Sequence, residues 1–153
     1  MQVLSLHRAV RSRLPLDRKT LLALLRMVIR IQGKPDLLVR LSVAFLPRRQ
    51  MQMINERYRQ RTGVADVLSF HYSDPQARSP RRPEMIDGEI LLCSSVIRER
   101  AQRQGTSIRE TTAHLFIHGV LHLLGYQHHR QKDERRMQRM EDRVLDAWML
   151  KRP

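Results

Sequence analysis

The chain has 153 residues and carries 29 lysines and arginines against 15 acidic residues, a formal net charge of +14 at pH 7. Its length predicts one domain over residues 1–153, and its single cysteine excludes an internal disulfide, as expected for a cytoplasmic protein. Two arginines interrupt the longest apolar stretch, residues 21–31, and charged residues interrupt residues 1–13, so we expect neither a membrane span nor a secretory signal.

Apolar periodicity along the chain predicts five helices and three strands. The helices are expected at residues 16–31, 48–60, 94–104, 107–124 and 133–150, and the strands at residues 36–46, 66–72 and 88–93. Three prolines make residues 73–83 the long loop. This order of elements predicts an α+β domain in which helices pack on a small mixed sheet.

The basic residues of the chain are nearly all arginine, since only four of the 29 are lysine. Arginine presents a planar fork that matches phosphate geometry, and a charge of this size favours polyanions through counterion release. Biased codon usage and a well-solvated surface would also give such an excess, but a nucleic-acid partner is the preferred interpretation.

The fourth predicted helix is apolar on most sides but ends in a histidine-rich segment, HGVLHLLGYQHH, at residues 118–129. A helix that is apolar all round is a buried one, and a buried imidazole needs partners for its nitrogens. His118 and His122 lie one turn apart on one helix face, so both can reach the same metal ion. Gly125 can adopt a positive φ and end the helix, which lets His128 swing back to close the site.

These residues follow the pattern HxxxHxxGxxH, the ligand spacing of metzincin proteases. Three imidazoles without a cysteine suit one Zn²⁺ per chain and leave a coordination position open, as in a catalytic site. We therefore predict a metzincin-like zinc helix that ends at Gly125, with hydrolysis as the reaction.

The alternative interpretation is that these histidines are hydrogen-bonded side chains of the core and bind no metal. His114 lies about 12 Å from His122 along the axis and suits a supporting position, while His71 and His129 break the ligand spacing.

Two features bear on the substrate of a hydrolase with this site. Metzincins place a general-base glutamate directly after the first histidine ligand, and here that position is Gly119. The arginine excess favours a phosphodiester substrate instead, because a metal ion and arginine can share the charge that develops on phosphoryl oxygens.

The histidine segment resembles the YbeY family of bacterial endoribonucleases and rRNA maturation factors. The family signature HGxLHLxGYDH is matched here by His118, Gly119, Leu121, His122, Leu123, Gly125, Tyr126 and His128. NERYR at residues 55–59 and ADVLSF at 65–70 resemble the NxxYR and TDVLSF stretches of the family, and GEI at 88–90 resembles its GDI strand. With the tail MQRMEDRVL, the resemblance covers residues 50–145.

The resemblance implies zinc on His118, His122 and His128, which would be catalytic together with Arg59. It implies a zinc-dependent endoribonuclease, specific for single-stranded RNA, that acts in rRNA processing, including maturation of the 16S rRNA 3′ end, and in ribosome quality control. The implied partners are rRNA, the small ribosomal subunit and its assembly factors. The nucleophile, water or the RNA 2′-hydroxyl, is left open, as is the oligomeric state.

Three residues depart from the family pattern. Gln127 replaces the aspartate before the third histidine, Ala65 replaces threonine, and His71 stands where the family has proline. Gln127 matters most, because the missing carboxylate could orient a ligand or move a proton. Glu89 and Asp66 are the candidates for that acidic role.

Two further functions are open at this point. The first is a non-enzymatic, basic rRNA-binding assembly factor in which zinc only holds the helix end, and Gln127 favours it. The second is a metallopeptidase, which the ligand spacing permits and Gly119 opposes.

Overall fold

The computed structural model describes residues 1–8, 13–72 and 84–151. The elements in those ranges are β1 (Gln2–Arg8), α1 (Arg18–Ile31), β2 (Leu38–Leu46), α2 (Arg48–Arg59), β3 (Val67–His71), β4 (Met85–Cys93), α3 (Ser94–Gln104), α4 (Ile108–Leu123) and α5 (Gln131–Leu150). All eight predicted elements are present, with ends that differ by at most three residues. The predicted loop at 73–83 lies outside the described residues.

The first strand, β1, was not predicted from the sequence. Leu4 is buried and Val3 is 44% exposed, but the apolar stretch around them is short and is soon interrupted by His7 and Arg8. The strand is instead defined by its parallel pairing with β2, in which Gln2 lies beside Val39. Two parallel strands are joined by a long crossover connection, so the local sequence of one strand says little about which strand it pairs with.

The strands form a mixed sheet in the order β1-β2-β4-β3. β1, β2 and β4 run parallel, while β3 is antiparallel to β4 and forms one edge of the sheet. α1 and α4 cover one face, and α5 packs on both of these helices. α2 packs on the opposite face through Met51. This arrangement confirms the predicted α+β fold. Within the described ranges, no helix is both long and apolar enough to cross a membrane.

Helix α4 lies at the buried centre of the domain, as its apolar composition predicts. Ser107 caps its first turn by accepting a hydrogen bond from the Glu110 N–H at 3.0 Å. Gly119 lies where the helix crosses the sheet, and a Cβ there would lie 3.0 Å from Ser69 Oγ and 3.1 Å from Ile90 Cδ1. Glycine therefore lets α4 pack directly on β3 and β4, and a side chain here would press on Ser69 and Ile90.

Candidate metal centre

The chain turns sharply at Gly125, just after α4, where φ is +97°. The Gly125 N–H donates to the His122 carbonyl and the Tyr126 N–H donates to the Leu121 carbonyl, both at 3.0 Å, which makes a Schellman motif. The Tyr126 carbonyl in turn accepts a hydrogen bond from Nδ1 of His122 at 2.9 Å. This turn directs the following residues, including His128, back against the end of α4.

His118, His122 and His128 form a cluster, the histidine triad, in which one ligand atom of each residue lies within 4.8 Å of the others. The Nε2 atoms of His118 and His122 are 3.0 Å apart. The His128 ring centroid lies 5.0 Å from that of His118 and 4.3 Å from that of His122. Zn–N bonds of about 2.0–2.1 Å in tetrahedral geometry separate two nitrogens by about 3.3 Å. The triad therefore has the dimensions of a metal site.

A carboxylate from α5 orients the first histidine of the triad. Glu141 accepts one hydrogen bond from Nδ1 of His118 and another from Nε2 of His114, the latter at 2.9 Å. Because Nδ1 donates in both His118 and His122, Nε2 of each carries the lone pair that a metal ion needs. His114 thus supports the triad through Glu141.

Glu141 is ionised although it is buried, with only 6% of the residue exposed. Burial opposes ionisation, but the hydrogen bonds from His114 and His118 outweigh it and lower the pKa of Glu141 to about 2. The carboxylate therefore accepts from both histidines throughout the physiological pH range.

Glu141 was not among the residues predicted for an acidic role. Of the two predicted carboxylates, Asp66 lines the same cleft as the triad, but both are hydrogen-bonded to groups outside the triad. Glu89 accepts a hydrogen bond from the Tyr72 hydroxyl. Asp66 forms an ion pair with Arg100, with an N–O distance of 2.5 Å. Both candidates are thus engaged with groups outside the triad.

The triad opens into a cleft of about 620 Å³ between the end of α4 and the edge strand β3. Arg59, the last residue of α2, lines this cleft together with the triad. Its guanidinium donates to the Ser69 carbonyl at 2.9 Å and lies 5.7 Å from the centre of the Phe70 ring. Arg61 also lines the cleft, so one wall is basic.

The other residues singled out from the sequence lie around the triad without joining it. His71, Gln127 and His129 line the cleft. Nε2 of His71 lies 2.6 Å from the Leu123 carbonyl, to which it donates. Gln127 and His129 are exposed on either side of His128.

A comparison with known families identifies the chain. The family profile described as Endoribonuclease YbeY matches residues 9–149. The chain belongs to the YbeY endoribonuclease family. The match extends the resemblance, which the motifs carry over residues 50–145, into the N-terminal third of the chain.

Curated YbeY relatives support the same assignment. The Endoribonuclease YbeY of Staphylococcus saprophyticus is 37% identical over 114 residues, which cover 73% of this chain and 74% of the relative. That of Staphylococcus aureus is 36% identical over 115 residues, with the same coverage. The predicted endoribonuclease activity, a hydrolytic one, is thereby confirmed.

One solved structure shares the fold of this YbeY family member. It is the solution structure of a protein from Thermotoga maritima, which aligns with a TM-score of 0.58 and 19% sequence identity. The alignment covers 96% of this chain and 92% of the Thermotoga protein. The likeness supports the α+β architecture over almost the whole length.

We expect acid to destabilise the metal-free protein between pH 6.5 and 4. Burial, together with the nearby His118 and His128, lowers the pKa of His122 from 6.5 to about 4, and burial also lowers the pKa of His128. The folded state then binds fewer protons than the unfolded state, so the free energy of unfolding falls as the pH falls through this window. Urea unfolding of chelator-treated protein at several pH values measures the decrease. It should be smaller in His122→Ala, and an equal decrease in both proteins would contradict the prediction.

Proposed function

We propose that this YbeY family member is a cytoplasmic, zinc-dependent endoribonuclease that cleaves single-stranded RNA. The histidine triad and Arg59 in one basic cleft are the observation that carries the proposal. The family resemblance extends it to rRNA processing, including the 16S rRNA 3′ end, and to ribosome quality control. Its partners would then be rRNA, the small ribosomal subunit and assembly factors.

Zinc is the metal that suits the donor set best. Three imidazoles without a thiolate favour Zn²⁺, and His118, His122 and His128 would hold it, the first two through Nε2. When bound, zinc supplies a Lewis acid that stabilises charge on phosphoryl oxygens and lowers the pKa of a coordinated water. Glu141 keeps His118 in the tautomer that this binding needs.

Arg59 is proposed to bind the phosphate that is cleaved. One of its terminal nitrogens donates to the Ser69 carbonyl, and the ring of Phe70 lies beside the guanidinium. These contacts restrain the exposed side chain. Within the described part of the chain its other N–H groups have no hydrogen-bond partner, so they are left for phosphate oxygens. A guanidinium held in this way stabilises the charge that develops during phosphodiester cleavage without reorganising.

The triad has a carboxylate partner even though residue 127 is glutamine and not aspartate. Glu141 already contacts His118 and is ionised, although it comes from α5 and not from the loop before His128. The departure from the family signature is therefore compatible with metal binding and with catalysis.

Two structural features oppose the metallopeptidase alternative. Gly119 stands where a peptidase has its general-base glutamate, and a Cβ at that position would already press on the Ser69 and Ile90 side chains. Among the described residues β3 is an edge strand, and an extended peptide that bound by strand addition would pair with it. On that edge, Arg59 already donates to the Ser69 carbonyl at 2.9 Å, and the Val67 N–H already donates to the Asp66 carboxylate at 2.8 Å. A peptide strand would have to break both hydrogen bonds.

The proposal is tested by incubating the purified protein with an end-labelled single-stranded RNA and with the same sequence as a duplex. We expect cleavage of the single strand, loss of cleavage with a chelator, and recovery on addition of Zn²⁺. Cleavage that persists in chelator would overturn zinc dependence, and equal cleavage of the duplex would overturn single-strand specificity. RNA binding without cleavage would favour the assembly-factor alternative.

The same reaction identifies the nucleophile from the ends of its products. A 5′-phosphate with a free 3′-hydroxyl would assign water as the nucleophile. A 2′,3′-cyclic phosphate would assign the RNA 2′-hydroxyl, because the cyclic product forms only when that hydroxyl attacks the neighbouring phosphorus.

A further inference from the structure

An exposed aromatic side chain stands beside the cleft. Tyr58 directly precedes Arg59 on α2 and is 62% exposed. Its ring packs edge-to-face on Phe70, with ring centroids 5.9 Å apart and an interplanar angle of 73°. The Arg59 guanidinium lies 5.7 Å from the centre of the same Phe70 ring. Tyr58 and Arg59, which lines the cleft, therefore contact the same ring, that of Phe70.

The surroundings of Tyr58 are strongly basic. The Arg57 guanidinium lies over the Tyr58 ring, 5.6 Å from its centre, and Arg59 and Arg61 follow on the cleft side. Within residues 1–8, 13–72 and 84–151, none of these three arginines pairs with a carboxylate. Their charge is therefore available to a polyanion that reaches the exposed ring.

We propose that Tyr58, supported by Phe70, is a stacking site for one unpaired nucleobase of the RNA substrate, next to the nucleotide whose phosphate Arg59 binds. This inference rests on the proposed endoribonuclease function. Every base has a π face, so such a site adds affinity with little sequence preference. A base inside a duplex is already stacked and cannot use the site. Tyr58 would thus contribute to the preference for single-stranded RNA.

Single-turnover cleavage by the zinc-loaded, full-length protein tests the site, with the half-saturating enzyme concentration as the readout. Tyr58→Ala should raise this concentration about tenfold, as expected for the loss of one base-aromatic stack, and Tyr58→Phe should keep it within about twofold of the wild type. Met53→Ala is the matched control, because Met53 is 61% exposed on the same helix and lies outside the cleft lining. The half-saturating concentration of Met53→Ala should equal that of the wild type.

RNA with single abasic residues near the cleavage site tests the stack without any substitution. At one abasic position the half-saturating concentration of the wild type should rise by about the same tenfold. On that RNA, Tyr58→Ala should have the same half-saturating concentration as the wild type. If Tyr58→Ala weakens cleavage of every abasic RNA as much as that of intact RNA, Tyr58 does not act by stacking.

The outcomes separate this inference from the function on which it rests. If Tyr58→Ala equals the wild type on intact RNA, the stacking site is refuted while the endoribonuclease proposal stands. If the wild type neither binds nor cleaves single-stranded RNA, both proposals fail together.

Discussion

Replacing His122 by alanine should abolish the proposed zinc binding and slow RNA cleavage by at least about 100-fold. Losing a residue that hydrogen-bonds to a metal ligand already lowers metal affinity or activity about 10- to 100-fold, so losing a ligand itself should lower them more. His122 is also the central member of the triad, since its ring lies 4.6 Å from His118 and 4.3 Å from His128. Metal content by mass spectrometry and single-turnover cleavage measure the two effects.

The matched control for this substitution is His7→Ala. His7 is an exposed histidine on β1, so the same chemical change is made outside the cleft. Circular dichroism should show that both variants fold. We expect about one zinc per chain in the wild type and in His7→Ala. A His122→Ala protein with full zinc content, or with full activity, would refute the triad as the metal site.

Replacing Glu141 by glutamine should weaken zinc binding by about 10- to 100-fold. The carboxylate accepts hydrogen bonds from both His114 and His118, whereas a glutamine amide has one oxygen acceptor and an NH₂ donor. One of the two histidines must then change its tautomer or lose its partner. If His118 changes, its Nε2 is protonated and no longer binds the metal. Titration of the protein against a chromogenic chelator measures the change in affinity.

Asp146→Asn is the control for the lost charge, because Asp146 is exposed on the same helix. It should leave the zinc affinity unchanged. Cleavage by Glu141→Gln should recover toward the wild-type rate when zinc is raised to saturation, since the substitution acts on metal binding. Equal zinc affinities in wild type and Glu141→Gln would show that Glu141 does not orient His118.

The triad can be predicted from the sequence because its geometry is local. Helical spacing fixes the relative positions of His118 and His122, and Gly125 supplies the positive φ that redirects the chain toward His128. Arg59 could not be selected in this way. It lies on a different helix, and among so many arginines only the NERYR stretch and its resemblance to the family distinguish it.

Glu141 was missed because the packing of α5 on α4, and not a local spacing, brings it to His118. It did leave one signal in the sequence. Glu141 lies on the buried stripe of α5 with Met137, Val144 and Trp148, and a carboxylate in such a stripe needs a buried partner. The order of the strands was likewise not predictable, because their pairing depends on crossovers between distant segments.

The three histidines of the triad come from one short stretch of the chain, residues 118–128, whereas Arg59 and Glu141 come from α2 and α5. Closing so short a segment around an ion costs little chain entropy, and the free energy of metal binding also stabilises the helix end that carries the ligands. We therefore expect the chain to capture zinc before its sheet is complete. Metal loading and catalytic competence are then separate stages of maturation, and zinc content alone would overestimate the active fraction of a preparation.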